Sequence, residues 1–172
     1  MKETLEVINR MQSDGVISKY AIGGAVGATL YLEPSATLDI DVFAMLPKES
    51  KSALVSLSPI YKYLTALGCT VDREYVVIGT WPVQFLIPSD ALVEEAVAEA
   101  IQVDIEGVPT WIMTAEHLVA IALQTGRAKD HARILQFLEQ KAIDSNKLER
   151  VLEHHSLISK WKQFQKRYLD EQ

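Results

Sequence analysis

With 172 residues, 48% of them hydrophobic, the chain is long enough to bury a core and short enough to form one domain. A formal net charge of −6 excludes the broad basic footprint of a protein that coats DNA. The single cysteine, Cys69, excludes an intrachain disulfide framework, reads as a small buried hydrophobe and fits a cytoplasmic chain.

No run approaches the roughly eighteen apolar residues of a membrane span. The first residues lack the basic start, apolar stretch and cleavage site of a signal peptide, so a chain without a leader and without membrane contact is expected.

In chain order, Leu5, Ile8 and Met11 repeat at helical spacing and predict a first helix over residues 2–12. Asp14 and Gly15 close it. A short strand over residues 18–22 leads into Gly23 and Gly24, and a helix is expected from Ala25 to Leu32 until Glu33-Pro34-Ser35 breaks it. Residues 37–45 read as a strand. Alternation along it puts Asp39 and Asp41 on one side and Ile40 and Val42 on the other, toward a core. Two neighbouring carboxylates repel unless a positive charge lies between them, and Mg²⁺ takes hard oxygen ligands of this kind.

Residues 51–67 form a long amphipathic stretch with Leu54, Leu57, Tyr61 and Leu64 on one side; Pro59 within it predicts a kink, and Gly68 ends it. Residues 75–78 and 83–87 then read as a hairpin across Gly79-Thr80-Trp81-Pro82. Ser89 is the expected N-cap of a helix over 91–98. Residues 101–106 alternate, Glu106 and Gly107 turn, and 108–113 form a further short strand. Thr114 caps a helix over 115–124 that stops before Gly126. Helices over 130–141, 145–154 and 158–169 complete the chain, with Asp130 as a candidate cap of the first.

The expected fold is therefore a single mixed α/β (α+β) domain over 1–172, with an α/β core to residue 113 and a helical part, 114–172, packed on it. His117, His131 and the pair His154 and His155 match no metal-ligand spacing, and the pair reads as exposed at a helix end. Trp161, Phe164 and Tyr168 at helical spacing either pack the last helix back on the domain or form the seam of a homodimer.

G-G-A-V followed some fifteen positions later by L-D-I-D-V resembles the core motif of the nucleotidyltransferase superfamily, the DNA polymerase β-like fold. The later runs W-P-V-Q-F-L-I-P and G-R-A-K-D-H-A-R-I resemble small bacterial members, including those of toxin–antitoxin and defence systems. The resemblance spans most of residues 19–139. It implies transfer of a nucleoside monophosphate from an NTP to a protein or nucleic-acid (RNA) hydroxyl. Gly23, Gly24 and the helix start after them would lie at the triphosphate, with Thr37 nearby, and Asp39 and Asp41 would hold Mg²⁺. Where members carry a third carboxylate, this chain has Gln84, a neutral side chain that ligates only through its carbonyl oxygen. That departure keeps open a catalytically inactive binding or regulatory module, or half of a two-component system. Asp72 and Glu74 are the candidates to replace the missing carboxylate. Tyr20 to Leu46 holds no lysine or arginine, so the triphosphate's basic partners are expected downstream among Arg127, Lys129 and Arg133. Lys129 and Arg133 lie one turn apart on a helix.

Overall fold

The computed structural model describes residues 1–33, 39–47 and 56–169. Thr37, Leu54, the expected break at Pro34 and the start of the 51–67 stretch lie outside the described residues.

Among the described residues, β1 (Lys19–Ile22), β2 (Ile40–Met45), β3 (Thr70–Asp72), β4 (Tyr75–Ile78), β5 (Trp81–Leu86), β6 (Ile101–Ile105) and β7 (Val108–Ile112) form one mixed sheet. Their spatial order is β3-β4-β5-β2-β1-β7-β6. β2 is central. It runs antiparallel to β1 and parallel to β5, while β1 and β7 are parallel.

The alternation expected for β2 holds. Ile40, Val42 and Ala44 are fully buried on one side of the sheet. There they join Leu5, Ile8 and Met11 of α1 (Lys2–Ser13) and Ile60 and Leu64 of α3 (Ser58–Ala66) in one apolar cluster. The opposite side carries α4 (Ala91–Ala98), α5 (Ala115–Thr125), α6 (Ala128–Glu139), α7 (Ser145–His154) and α8 (Ile158–Tyr168). Ala96, Val119, Ile134, Phe137 and Phe164 form the second cluster on that side. Burying a side chain of this size contributes about 1.5–3 kcal/mol, so the sheet is held from both sides by packing rather than by strand pairing alone. The aromatic stripe of α8 is used within the chain. Trp161 stacks on Phe164 with centroids 5.5 Å apart, and His131 lies 5.6 Å from Phe164.

Several local expectations are corrected. Pro59 does not kink a helix; it lies in the first turn of α3, where its missing N–H has no intrahelical bond to lose. The helix after the glycines, α2 (Gly24–Ala28), is little more than one turn. Asp90, not Ser89, caps α4, its carboxylate accepting from Val93 N at 3.0 Å. Asp130 sits in the first turn of α6, after the N-cap Arg127. Cys69 is half-buried. β3 is absent from the sequence reading because its three residues are all exposed and so carry no apolar alternation. His155 is not exposed: its side chain is only 8% accessible, against 69% for His154. Thr114 does cap α5, with Oγ1 accepting from His117 N at 3.3 Å.

Candidate functional site

Asp39 directly precedes β2, and Asp41 is its second residue. Strand register decides what lies beside them. Asp41 pairs with Gln84 on the parallel neighbour β5, and Gln84 pairs with Tyr75 on β4. Paired residues project to the same face, so Asp41, Gln84 and Tyr75 form a row across three strands. Tyr75 also hydrogen-bonds Asp39, whose carboxylate raises the pKa of the phenol.

The same register tests the substitutes for a third carboxylate. Asp72 pairs with Tyr75 and extends the row by one more strand. At about 4.8 Å per strand it stands some 14 Å from Asp41, too far to share an ion. Glu74 lies in the turn between β3 and β4. Neither residue lines the cleft, whereas Gln84 does.

The glycine turn closes the other flank. Gly23 N donates to Asp41 O at 3.0 Å, fixing the turn to β2. Gly24 has a φ of +58°, and a Cβ on it would stand 1.9 Å from Asp41 Oδ2. Only glycine accommodates both the left-handed backbone and the carboxylate against it. Gly23 instead packs behind the cleft, where an added Cβ would meet Phe43 at 2.7 Å. With α2 so short, a helix dipole adds little here; the glycine turn offers close approach of backbone rather than a macrodipole.

Across the cleft stands the start of α6. Arg127 and Asp130 form a fork, with Arg127 Nε donating to Oδ2 at 2.7 Å and its terminal nitrogen to Oδ1 at 3.1 Å. Arg127 N also donates to Oδ2, so this buried carboxylate caps α6 and holds its first turn in place. Lys129 and Arg133 line the cleft and, among the described residues, take part in no direct ion pair. The cleft measures about 600 Å³, within the range of small-molecule sites. It brings together Gly24, Asp39, Asp41, Gln84, Lys129 and Arg133.

Its electrostatics follow from this layout. Burial raises the pKa of Asp41 above the ordinary carboxylate value, and Asp39 raises it further; Arg133, Lys129 and Arg127 pull it back. The strained charge on the sheet is thus partly balanced from α6. The donors that Asp39, Asp41 and Gln84 present are hard oxygens, and a divalent cation between the two carboxylates would relieve the repulsion that burdens Asp41. The site therefore fits Mg²⁺ by donor chemistry.

Sequence reasoning passed over Tyr75, and it took Asp130 for an N-cap rather than the partner of Arg127. The signal for Tyr75 was present: a two-residue turn at Gly79 and Thr80 pairs 78 with 81, and counting outward sets 75 against 84.

No family model matches the sequence, and no curated protein matches it. Solved structures do. The chain is similar to an antigenic nucleotidyltransferase-like protein from Paracoccidioides brasiliensis, with a TM-score of 0.57 and 13% identity over 92% of this chain and 90% of that one. It is similar to the antibiotic-resistance factor ANT(2'')-Ia in solution, with a TM-score of 0.52 and 16% identity over 97% of this chain and 98% of that one. It is also similar to ANT(2'')-Ia in its crystal complex with adenylyl-2''-tobramycin, with a TM-score of 0.50 and 17% identity over 95% and 98%. The fold is that of the nucleotidyltransferases.

Proposed function

We propose that this nucleotidyltransferase fold binds a Mg²⁺–nucleoside triphosphate in the cleft between β2 and α6 and transfers the nucleoside monophosphate to an acceptor hydroxyl. The observation that carries the reading is the pairing of Asp39 and Asp41 on the sheet with Lys129 and Arg133 opposite, in a cleft that Gly24 also lines. Lys129 and Arg133 would take the phosphate oxygens, and Gly24 would let the triphosphate approach the backbone closely. Asp39 and Asp41 would hold the Mg²⁺, which supplies charge neutralisation at the phosphates. In transfer, the acceptor oxygen bonds to the α-phosphorus as the bond from that phosphorus to the bridging oxygen breaks. Pyrophosphate leaves. The hydroxyl proton passes to water, because Gln84 has no basic oxygen to receive it. The structural relative ANT(2'')-Ia was crystallised with an adenylylated small molecule; a hydroxyl of a protein, of RNA or of a small molecule is the acceptor class here.

Gln84 favours one second reading, a module that binds the nucleotide without turning it over. In that form the cleft would serve regulation, or be covered by a second chain as in a toxin–antitoxin pair.

Titration calorimetry of each Mg²⁺–NTP against the wild type and Asp39→Ala/Asp41→Ala tests the shared premise. Binding to the wild type that vanishes in the double variant is expected, and a folded wild type that binds none of the four nucleotides overturns it. Pyrophosphate release by Gln84→Glu against wild type then separates the readings. A gain of roughly tenfold or more, the usual scale of a positioned proton acceptor, marks an enzyme with a weakened chemical step. No release by either protein marks the binding module.

A further inference from the structure

Away from the cleft, three histidines from two helices converge on one glutamate. Glu95 of α4 has its Oε1 3.2 Å from His117 Nε2. Its Oε2 lies 2.8 Å from His154 Nδ1 and 3.1 Å from His155 Nε2. We infer that Glu95, His154 and His155 bind one divalent transition-metal ion of the Zn²⁺ class, with His117 orienting the glutamate.

The first support is the state of His155. Its side chain is 8% accessible, and its Nε2 is fully buried with no hydrogen-bond partner among the described residues, although Glu95 Oε2 is close by. The two groups are near but misaligned for an N–H···O bond. A buried imidazole nitrogen left in this way is costly unless its lone pair is used. A cation between the two nitrogens and the carboxylate oxygen uses both lone pairs and the negative charge.

The second support is ligand type and spacing. The three ligand atoms lie within 4.8 Å of one another. Ligands at about 2.0–2.2 Å around a tetrahedral Zn²⁺ stand roughly 3.4 Å apart, so a few tenths of an ångström of opening admits the ion. Imidazole nitrogen with one carboxylate suits Zn²⁺ and its neighbours rather than Mg²⁺ or Ca²⁺.

The third support is the shell behind the ligands. Thr114 Oγ1 lies 2.7 Å from His117 Nδ1. With the hydroxyl donating to Nδ1, His117 keeps its proton on Nε2 and donates it to Glu95 Oε1, which leaves Oε2 turned to His154 and His155. This chain of hydroxyl, imidazole and carboxylate is what orients first-shell ligands in metal sites. An adjoining cavity of about 490 Å³, which Glu95, His117 and His154 line, gives solvent access to a fourth position.

The test uses the full chain without a histidine tag, in excess Mg²⁺ to occupy the Asp39 and Asp41 cleft. Zn²⁺ binding is measured by chelator competition, and Co²⁺ binding by the visible absorption of a low-coordinate nitrogen and oxygen site. One ion per chain is expected, with a rise in Tm on adding Zn²⁺. Affinity should fall roughly tenfold or more in His154→Ala and in His155→Ala, and stay unchanged in Asp39→Ala/Asp41→Ala. His154 is exposed, so its variant folds even where His155→Ala does not. The inference is overturned if the wild type binds no Zn²⁺ under these conditions, or if His154→Ala binds it as tightly as wild type.

Discussion

Replacing Gly24 by alanine tests the geometry on which the cleft rests. Two costs follow from the structure. A Cβ at φ +58° puts an L-residue in the left-handed region, at about 1–2 kcal/mol. The same Cβ would stand 1.9 Å from Asp41 Oδ2, so the carboxylate must swing away by more than an ångström. Leaving its rotamer costs about 0.5–1.5 kcal/mol more. Gly24→Ala is therefore expected to lower stability by about 2–3 kcal/mol, measured by urea denaturation at pH 7. It is also expected to abolish Mg²⁺–NTP binding, because Asp41 has left its place. The decisive comparison adds Asp41→Ala. Without the carboxylate only backbone strain and a tight 3.1 Å contact to the Cβ of residue 41 remain. In that background the alanine at 24 should cost about 1–2 kcal/mol, so the two substitutions couple. If Gly24→Ala costs less than about 0.5 kcal/mol, or costs the same with and without the Asp41 carboxylate, the proposed contact is wrong.

Two further outcomes follow from the charges. Asp41 has its pKa raised in the folded chain, so the native state holds that proton more tightly than the unfolded state does. Wild-type stability should fall as pH rises from the ordinary 3.8 through the raised value, and stay lowered above it. Asp41→Asn should then be more stable than wild type at pH 7 and lose that advantage on acidification below 3.8; parallel pH–stability curves for the two proteins would contradict the assignment. Lys129→Ala/Arg133→Ala should weaken Mg²⁺–NTP binding by roughly tenfold or more per side chain, the scale of a hydrogen bond to a charged group. The nucleoside alone should bind the variant and the wild type alike, and an equal loss for nucleoside and triphosphate would remove these residues from the phosphates.

Much of the fold was legible because it rests on patterns local to the chain. The alternation of Asp39, Ile40, Asp41 and Val42 placed two side chains in the cleft and two in the core. Thr114 signalled the start of α5, and the four-residue spacing of Lys129 and Arg133 placed both cations on the cleft side of α6. What escaped depended on distance in sequence or on weak patterns. β3 carries no buried residue, so nothing in its three positions announced a strand. Asp130 looked like a cap in its own right, but it acts through Arg127, three positions earlier. The histidine cluster joins residues 95, 117, 154 and 155, spacings with no metal motif, and only the packing of α4, α5 and α7 brings them together.

The two halves of the cleft come from opposite parts of the chain. Asp39, Asp41 and Gln84 belong to the sheet, and Lys129 and Arg133 to a helix that follows the last strand. A polypeptide emerging from the ribosome completes the seven strands of the described residues before α6 exists. Until then Asp41 faces Asp39 with no cation across from it, and the sheet carries the full like-charge penalty. Docking of α6 relieves that penalty and finishes the phosphate-binding wall in the same event. A nascent chain interrupted after β7 should thus be ordered enough to show a sheet yet indifferent to nucleotide, with ligand affinity arriving as the last property of the maturing fold.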